Sequence, residues 1–311
     1  MRVIFAGTPD VAVPSLEALV ASPHEVVAVI TQPDARGRRG KTLHPSPVKV
    51  AAEAHGLPVF TPVDAKDPAF IADIAALDAD CAAVVAYGQI LKEDLLGAVR
   101  TGWINLHFSL LPTWRGAAPV QRSIMAGDEF TGASTFVLEK GLDTGPVIGT
   151  LTERIRPTDT AGELLDRLAH AGAPLLVNSV DALTSGQAAP VAQTEDGVSY
   201  AAKLTRDDAY VQWERPSHFV DRQIRGCTPA PGAWTTLPDG SVAKLGPVVQ
   251  VADAAATVPG QLRWDDGKVL VGTGTSPVAL STIAPAGKKP MDAAAWWRGA
   301  RLPEGSALGE A

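Results

Sequence analysis

The alternation of short β-branched runs with amphipathic stretches, which extends to about residue 110, restricts the fold of this chain more than any other feature. The strand-like runs are RVIFAG, EVVAVITQ, LPVF, CAAVVAYG and WINLHFS, and the helix-like stretches between them include VPSLEALVAS, PSPVKVAAEAHG, DPAFIADIAAL and ILKEDLLGAV. Repeated strand–helix–strand units predict a mostly parallel sheet with helices on both faces. We therefore expect an α/β, Rossmann-like first domain.

The turn after the first strand reads AGTPD and lacks the GxGxxG pattern of a dinucleotide-binding loop. That pattern lets the backbone approach a pyrophosphate at a helix N-terminus, so the sequence gives no support for a dinucleotide site. We interpret Gly7 and Pro9 as residues that shape the turn.

Patterning changes twice in the rest of the chain. The run TGASTFVLEKGLDTGPVIGTLTERI predicts an antiparallel pair of strands that closes the first domain, and Thr160 is predicted to be the N-cap of a long helix. Residues 187–206 lack sustained periodicity and are predicted to be a linker. The short strand-like runs GAWTTL, VVQVA, QLRW, KVLVGT and VALSTIA follow, separated by Gly, Pro and Asp turns, which predicts a small β-barrel or sandwich. The predicted domains are residues 1–186 and 207–311, joined by the linker.

Composition argues against several classes of protein. The chain of 311 residues has only two cysteines, so a disulfide framework and a CxxC metal pair are excluded. Its six histidines have no HExxH or HxH spacing, and we expect no metal. No apolar run approaches the roughly 20 residues that a membrane helix needs. We therefore expect a cytoplasmic protein that does not bind membranes.

The segment from Asp34 to Lys49 is the one strongly basic stretch of an acidic chain. The formal net charge of −7 argues against a protein that coats nucleic acid through its overall charge. This segment nevertheless carries five cations and a single carboxylate; the cations are Arg36, Arg38, Arg39, Lys41 and Lys49. A nucleic-acid partner would have to be met by such a local patch. From charge alone, a solvated surface loop explains the stretch equally well.

The strand WINLHFS carries the candidate chemistry. Side chains alternate along a strand, so Asn105, His107 and Ser109 share one face. Because the strand follows four parallel ones, its C-terminal end should open into the crevice where such sheets bind ligands. An isolated pair of this kind is usually a satisfied core histidine beside a turn residue. Here the next polar turn, EKGLDTGP, offers an acid at Asp143.

Asn105, His107 and the SLLP run at residues 109–112 resemble the signature of folate-dependent formyltransferases, with Asp143 in GLDTG as the third residue. Further matching motifs are FAGTPD, TQPD, PSPVKV, VVAYG and TWRGAAP, which together cover nearly the whole chain. The resemblance implies transfer of the formyl group of 10-formyltetrahydrofolate to an amine. It implies catalytic roles for Asn105, His107 and Asp143, and a folate pocket that includes Ser109, Leu110, Leu111 and Pro112.

The identity of the formyl acceptor depends on other features. Members of the family that formylate tRNA carry a loop between TQPD and PSPVKV, and the resemblance implies that Arg36, Arg38, Arg39 and Lys41 bind tRNA, with Arg39 central. The β domain resembles the OB-like domain of those members through RQIRGCTPAPGAW. The implied acceptor is the methionine amine of initiator methionyl-tRNA, which is used in translation initiation. We expect the enzyme to be a monomer.

Three alternatives stay open from the sequence. The first is a formyltransferase that acts on an amino sugar nucleotide. The second, less favoured, is an enzyme that formylates glycinamide ribonucleotide, since such enzymes usually end near the first domain. The third is a non-catalytic RNA-binding protein on a formyltransferase scaffold.

Overall fold

A seven-stranded sheet forms the centre of the first unit of the structure, a computed structural model that describes residues 1–36 and 42–309. This unit comprises the described residues up to Gly116 together with Phe130–Arg154 and Leu165–Ala201. The second unit comprises Ala117–Glu129, Ile155–Leu164 and the chain from Ala202 onward.

The strands of the first unit alternate with helices along the chain, as the sequence predicts. The strands are β1 (Arg2–Gly7), β2 (Glu25–Ile30), β3 (Ala35–Arg36), β4 (Leu43–His44), β5 (Val59–Phe60), β6 (Cys81–Val85), β7 (Trp103–His107), β8 (Phe130–Val137) and β9 (Val147–Arg154). The helices are α1 (Val13–Val20), α2 (Pro47–Ala54), α3 (Pro68–Ala76), α4 (Glu93–Leu96) and, mostly in this unit, the long helix Ala161–Thr184.

The large sheet has the order β5-β2-β1-β6-β7-β8-β9. The five strands from β5 to β7 are parallel, and β8 and β9 are antiparallel to their neighbours. The residues Val3, Ile4, Phe5 and Ala6 of β1 are fully buried, as expected of a parallel strand that is covered on both faces. β7 therefore lies where the parallel part of the sheet meets the antiparallel pair.

Local signals in the sequence explain where the helices begin. α2 starts with Pro47 after Ser46, whose hydroxyl accepts a hydrogen bond from the Lys49 amide at 3.0 Å. Thr160 accepts from the Glu163 amide at 3.3 Å while the Glu163 carboxylate accepts from the Thr160 amide at 2.9 Å. This reciprocal pair is a capping box, and it confirms the predicted N-cap.

Two antiparallel sheets build the second unit. Its helices and strands are α5 (Pro119–Ala126), the start of α6 (Ala161–Thr184), α7 (Ser217–Gly226), β10 (Trp234–Thr236), β11 (Val242–Leu245), β12 (Val248–Gln250), β13 (Leu262–Asp265), β14 (Lys268–Val271), β15 (Val278–Leu280), β16 (Thr282–Pro285), β17 (Met291–Asp292) and α8 (Ala293–Ala300). The sheet orders are β10-β11-β16-β17 and β12-β15-β14-β13. Trp213, Val220, Ile224, Ile283 and Trp296 belong to its hydrophobic core.

The run VALSTIA, predicted as one strand, is divided between the two sheets. β15 pairs with β12 and β14, whereas β16 pairs with β11 and β17. The division falls at Ser281, whose hydroxyl donates to the carbonyl oxygen of Pro247 and whose own carbonyl accepts from the Ala293 amide at 3.0 Å. The fold class itself is confirmed: a Rossmann-like, mostly parallel sheet is followed by a smaller OB-like domain of antiparallel strands.

Both cysteines are buried and free. Burial raises the pKa of the Cys81 thiol to about 12 and that of Cys227 to about 11. Thiols that are buried and difficult to ionise are structural and not reactive. Among the helices of the described residues, none combines the length and apolar character that crossing a membrane requires.

Gly7 ends β1 at a point where there is no room for a side chain. An added β-carbon would lie 2.8 Å from the Ala12 β-carbon and 3.0 Å from the Val85 carbonyl oxygen. This close approach explains the glycine in the AGTPD turn and agrees with its interpretation as a turn-shaping residue.

We predict that Gly7→Ala destabilises the protein by about 1–3 kcal/mol, because the extra methyl group overpacks a buried turn. The matched control is Gly97→Ala, since a β-carbon at Gly97 would lie 3.4 Å from the nearest atom, the Glu93 carbonyl oxygen. Urea unfolding of both variants measures the difference. Equal free energies of unfolding for the two variants would contradict the steric argument.

Candidate active site

β7 brings Asn105 and His107 to one face of the sheet. Asn105 is paired with Val84 of β6 on one side and with Phe136 of β8 on the other. It is half-buried, and its side-chain amide makes no hydrogen bond to any residue of 1–36 or 42–309. This amide is therefore available to donate to a bound molecule.

His107 is buried, and its two ring nitrogens have different partners. Nε2 lies 2.8 Å from the carbonyl oxygen of Trp114, while Nδ1 lies 3.7 Å from Oδ2 of Asp143. A carbonyl oxygen only accepts hydrogen bonds, so Nε2 carries the proton in the neutral ring. The distance of 3.7 Å is too long for a hydrogen bond. The neutral ring therefore presents an unprotonated Nδ1 beside a carboxylate.

The surroundings of His107 favour the neutral ring. Burial lowers the pKa of His107 below its ordinary value, and the Asp143 carboxylate and the Trp114 carbonyl oppose this only in part. The ring edge faces Phe136 of β8, with centroids 6.5 Å apart. His107 can thus accept a proton at Nδ1 at neutral pH, and the resulting imidazolium would have Asp143 as its counterion.

A backbone amide holds the carboxylate of Asp143 in place. Its own φ of 53° lies in the left-handed region, which costs a non-glycine residue energy unless surrounding contacts enforce it. Its Oδ2 atom accepts a hydrogen bond of 2.7 Å from the Gly116 amide. Gly116 has φ 121°, and a β-carbon there would lie 2.8 Å from the Ala201 carbonyl oxygen. Only glycine fits this position, which fixes the amide that binds the carboxylate.

The structure thus brings together the three residues predicted to be catalytic and adds backbone partners that the sequence did not reveal. The carbonyl of Trp114 and the amide of Gly116 belong to the TWRGAAP motif, which was recognised only by resemblance. A backbone group has no signature of its own in the sequence. The presence of a motif next to the candidate strand was the only available signal.

The SLLP run forms a tight turn beside the site. Ser109 is fully buried, and its hydroxyl donates to the Thr113 carbonyl oxygen at 2.5 Å. The Leu111 amide donates to the Ser134 hydroxyl at 3.1 Å, and the Leu111–Pro112 peptide bond is cis. Leu110 and Pro112 are half-buried. The Ser109 hydroxyl is therefore engaged within the turn.

A cavity of about 380 Å³ in the first unit was not predicted from the sequence. Its lining includes Ile90, Leu91, Leu96, Glu139 and Gly141, together with Lys92, Glu93, Asp94 and Lys140. Ile90 is 80% exposed, an unusual environment for a large aliphatic side chain unless a ligand covers it. Gly141 is two residues before Asp143, so the cavity adjoins the candidate catalytic loop. The runs VAYGQIL and EKGLDTG, which line it, were its signal in the sequence.

Of the residues predicted to bind tRNA, the structure describes Arg36, which is exposed in β3 and pairs with Leu43 of β4. Arg38, Arg39 and Lys41 lie outside the described residues. Lys49 is engaged elsewhere, because its Nζ atom lies 2.8 Å from Oδ1 of Asp34.

The second unit has a cleft of about 530 Å³ lined by Trp264, Trp297, Arg298, Arg301 and Leu302. The two indoles are nearly parallel, with centroids 6.3 Å apart. Within residues 1–36 and 42–309, Arg298 and Arg301 have no hydrogen-bonding or ion-pair partner. α8 therefore has two roles, since Trp296 packs into the core and Trp297 lines the cleft. In the same described ranges, no group of three or more His, Cys, Asp or Glu side chains could hold a metal ion.

Comparison with known sequences defines the class of this protein. The family model described as Formyl transferase matches residues 1–180, and the model described as Formyl transferase, C-terminal domain, matches residues 203–301. The chain therefore belongs to the formyl transferase family, and the resemblance read from its motifs is confirmed.

The names of similar proteins are more specific than the description of the family. A methionyl-tRNA formyltransferase of Thermobifida fusca is 55% identical over 310 residues and is covered completely, as is this chain. Another, from Mycobacteroides abscessus, is 55% identical over 302 residues, with 97% of this chain and 98% of the relative covered. Among solved structures, an N-formyltransferase from Helicobacter canadensis, in complex with folinic acid and dTDP-3-aminofucose, matches with a TM-score of 0.68 and 17% identity. That match covers 90% of this chain and 98% of the other, and it shows a shared fold.

We predict that His107 is neutral at pH 7, with its proton on Nε2, and that its midpoint lies below the ordinary value of about 6.5. Asp143 favours the imidazolium, so Asp143→Asn should lower the pKa of His107 further. NMR of protein with ¹⁵N-labelled histidine gives both the tautomer and the titration midpoint. A proton on Nδ1, or a midpoint that rises in the variant, would contradict this description of the site.

Proposed function

We propose that this enzyme transfers the formyl group of 10-formyltetrahydrofolate to the methionine amine of initiator methionyl-tRNA. The reaction would take place in the cytoplasm and serve the initiation of protein synthesis. The observation that carries the proposal is the arrangement of Asn105, His107 and Asp143 around one face of β7. The choice of acceptor is supported by relatives of the same length, 55% identical, that are named methionyl-tRNA formyltransferase.

Asn105 is assigned the role of hydrogen-bond donor to the oxygen of the formyl group. Attack by the amine turns the planar formyl carbon into a tetrahedral centre and places negative charge on its oxygen. The free amide of Asn105 donates to that oxygen, in the manner of an oxyanion hole. Removal of one such donor typically costs about 100-fold to 1,000-fold in rate.

His107 is assigned to the transfer of the proton. The attacking amine loses a proton as its nitrogen bonds to the formyl carbon, and Nδ1 of the neutral ring accepts it, directly or through water. Asp143 then stabilises the imidazolium across 3.7 Å. The same proton passes to the folate nitrogen as the bond between that nitrogen and the formyl carbon breaks. Because Nε2 donates to the Trp114 carbonyl, His107 can donate to the formyl oxygen only from Nδ1 of the protonated ring.

The cavity beside the GLDTG loop is assigned to the pterin of the folate. Ile90, Leu91 and Leu96 supply apolar surface, and the adjoining loop supplies backbone groups for the edge of the ring. The SLLP turn, Ser109 to Pro112, is assigned to folate binding as well, at a place outside the lining of this cavity. Its leucines and its backbone groups would contact the folate. The Ser109 hydroxyl would not, because it already donates to the Thr113 carbonyl oxygen. No metal is needed for this reaction.

Binding of the acceptor is assigned to the basic loop and to the β domain. Arg36, Arg38, Arg39 and Lys41 would bind the end of the acceptor stem. In the second unit, the cleft with Trp264 and Trp297 offers indole faces and two arginines that have no partner among residues 1–36 and 42–309, features suited to bases and phosphates. We assign catalysis and the basic loop to the domain of residues 1–186, and a further contact with tRNA to the cleft of the domain of residues 207–311, with 187–206 as the linker, in a monomer.

The alternatives predict different acceptors. A sugar-nucleotide enzyme would formylate a nucleotide-linked amino sugar, and a non-catalytic RNA-binding protein would bind tRNA without turnover. The full-length relatives favour neither. An acceptor screen with labelled 10-formyltetrahydrofolate distinguishes formylation of methionyl-tRNA from these alternatives and from formylation of glycinamide ribonucleotide, because each predicts a different labelled product or none.

We predict that His107→Ala lowers kcat for formylation of methionyl-tRNA by about 100-fold to 10,000-fold, the usual contribution of general acid–base catalysis. The affinity for tRNA should be unchanged, as measured by filter binding. His55→Ala is the matched control, since His55 pairs with Glu17 on the surface. Full turnover by His107→Ala would refute the assignment, and sugar-nucleotide formylation by the wild type would refute the acceptor.

We predict that Arg39→Ala raises the KM for methionyl-tRNA about tenfold or more and leaves the KM for the folate unchanged, because its proposed contact is with RNA alone. Arg100→Ala is the control, since the exposed ion pairs of Arg100 with Asp78 and Asp80 should contribute little to stability. Steady-state kinetics with each substrate varied in turn provide the measurement. An equal rise in both KM values would point to a damaged fold instead.

A further inference from the structure

The amide of Gln193 joins the two loops that hold the candidate catalytic pair. Its Nε2 atom donates to the carbonyl oxygens of Asp143 and Gly145, both at 2.8 Å. Its Oε1 atom accepts from Nε and Nη2 of Arg115, at 3.1 and 2.7 Å. One side chain thus makes four hydrogen bonds, two to the GLDTG loop and two to the TWRGAAP loop.

Both loops contact the reactive groups through their backbones. Trp114, next to Arg115, provides the carbonyl that fixes the tautomer of His107, and Gly116 provides the amide that binds the Asp143 carboxylate. Trp114 and Asp143 both have left-handed backbones, with φ 62° and 53°. Such conformations persist in non-glycine residues only where neighbouring contacts enforce them. The bonds of Gln193 and Arg115 are contacts of this kind.

Two further residues of the same segment fix the TWRGAAP loop. The Trp114 amide donates to the Ser199 hydroxyl at 2.9 Å, and the Arg115 amide donates to the Ser199 carbonyl oxygen at 2.9 Å. The Ala201 amide donates to the Arg115 carbonyl oxygen at 2.7 Å. We call residues 193–201 the clamp segment. It belongs to the stretch that lacks periodicity in the sequence.

We propose that Gln193 is a positioning residue for formyl transfer, and that the clamp segment sets the distance between His107 and Asp143. The inference rests on the proposed function for its kinetic consequence. Only an amide meets both demands at this place, because the GLDTG loop presents two acceptors and Arg115 presents two donors. Glutamate would keep the contact with Arg115 and lose both donors to the carbonyl groups. Methionine has a similar length and would lose all four bonds.

The test compares Gln193→Met and Gln193→Glu with a matched control, Gln223→Met. Gln223 also donates to two backbone carbonyls, those of Asp208 and Tyr210, at 2.9 and 2.7 Å, but it lies in the second unit. We expect kcat to fall about tenfold to a hundredfold in both Gln193 variants, in keeping with misplacement of reacting groups by about 1 Å. The KM values for folate and methionyl-tRNA should stay within about twofold, and Gln223→Met should keep its kcat.

A second readout does not depend on turnover. The Nε2 proton of His107 is bonded to the Trp114 carbonyl, so its NMR signal should shift or be lost to exchange in Gln193→Met and persist in Gln223→Met. An unchanged signal in Gln193→Met would overturn the inference even if the wild type formylates no tRNA. With an active wild type, a retained kcat in either Gln193 variant, or an equal loss in Gln223→Met, would overturn it as well. An inactive wild type alone would count against the proposed function.

Discussion

The hydrogen bond from Nε2 of His107 to the Trp114 carbonyl determines what the active site can do. It commits one ring nitrogen to the protein, so that Nδ1 is the only nitrogen that can exchange a proton with a substrate. Burial favours the neutral form of the ring. Once Nδ1 accepts a proton, the Asp143 carboxylate lies close enough to stabilise the charge of the imidazolium. Asn105, one pleat away on β7, has an amide without a hydrogen bond to residues 1–36 or 42–309, as its proposed role at the developing oxyanion requires. The sheet, the GLDTG and TWRGAAP loops and the clamp segment all contribute to this geometry.

Much of this could be predicted from the sequence, because side-chain alternation in β7 follows from strand geometry. Asn105 and His107 were placed on one face for that reason, and the parallel order of strands placed them at the ligand-binding edge. Asp143 was found by a motif and not by distance, since a turn has no periodicity from which its position could be deduced. The contacts from Trp114 and Gly116 are made by backbone groups, which every residue possesses. No residue type in the sequence could therefore indicate them.

The parts that the sequence missed share a physical cause. Gln193 lies in a stretch without periodicity, and its role depends on loops about 50 and 78 positions away in the chain. The cavity beside Ile90 arises where the runs that contain Ile90 and Gly141 meet, and neither run by itself predicts that meeting. In the β domain, the run VALSTIA proved to be two strands that pair in different sheets and are divided at Ser281. Long-range closure of this kind is not encoded in local patterns.

The two buried cysteines have a practical consequence for experiments on substrate encounter. A thiol with its pKa raised to about 11 or 12, and shielded from solvent, reacts negligibly with maleimides near neutral pH. A single cysteine introduced on the surface would therefore be the one reactive site without any change to the native residues. Placed at Thr42, which is exposed within the basic stretch from Asp34 to Lys49, it would carry a fluorophore to the segment assigned to the acceptor stem. The arrival of the acceptor could then be followed in real time, separately from the chemistry at His107.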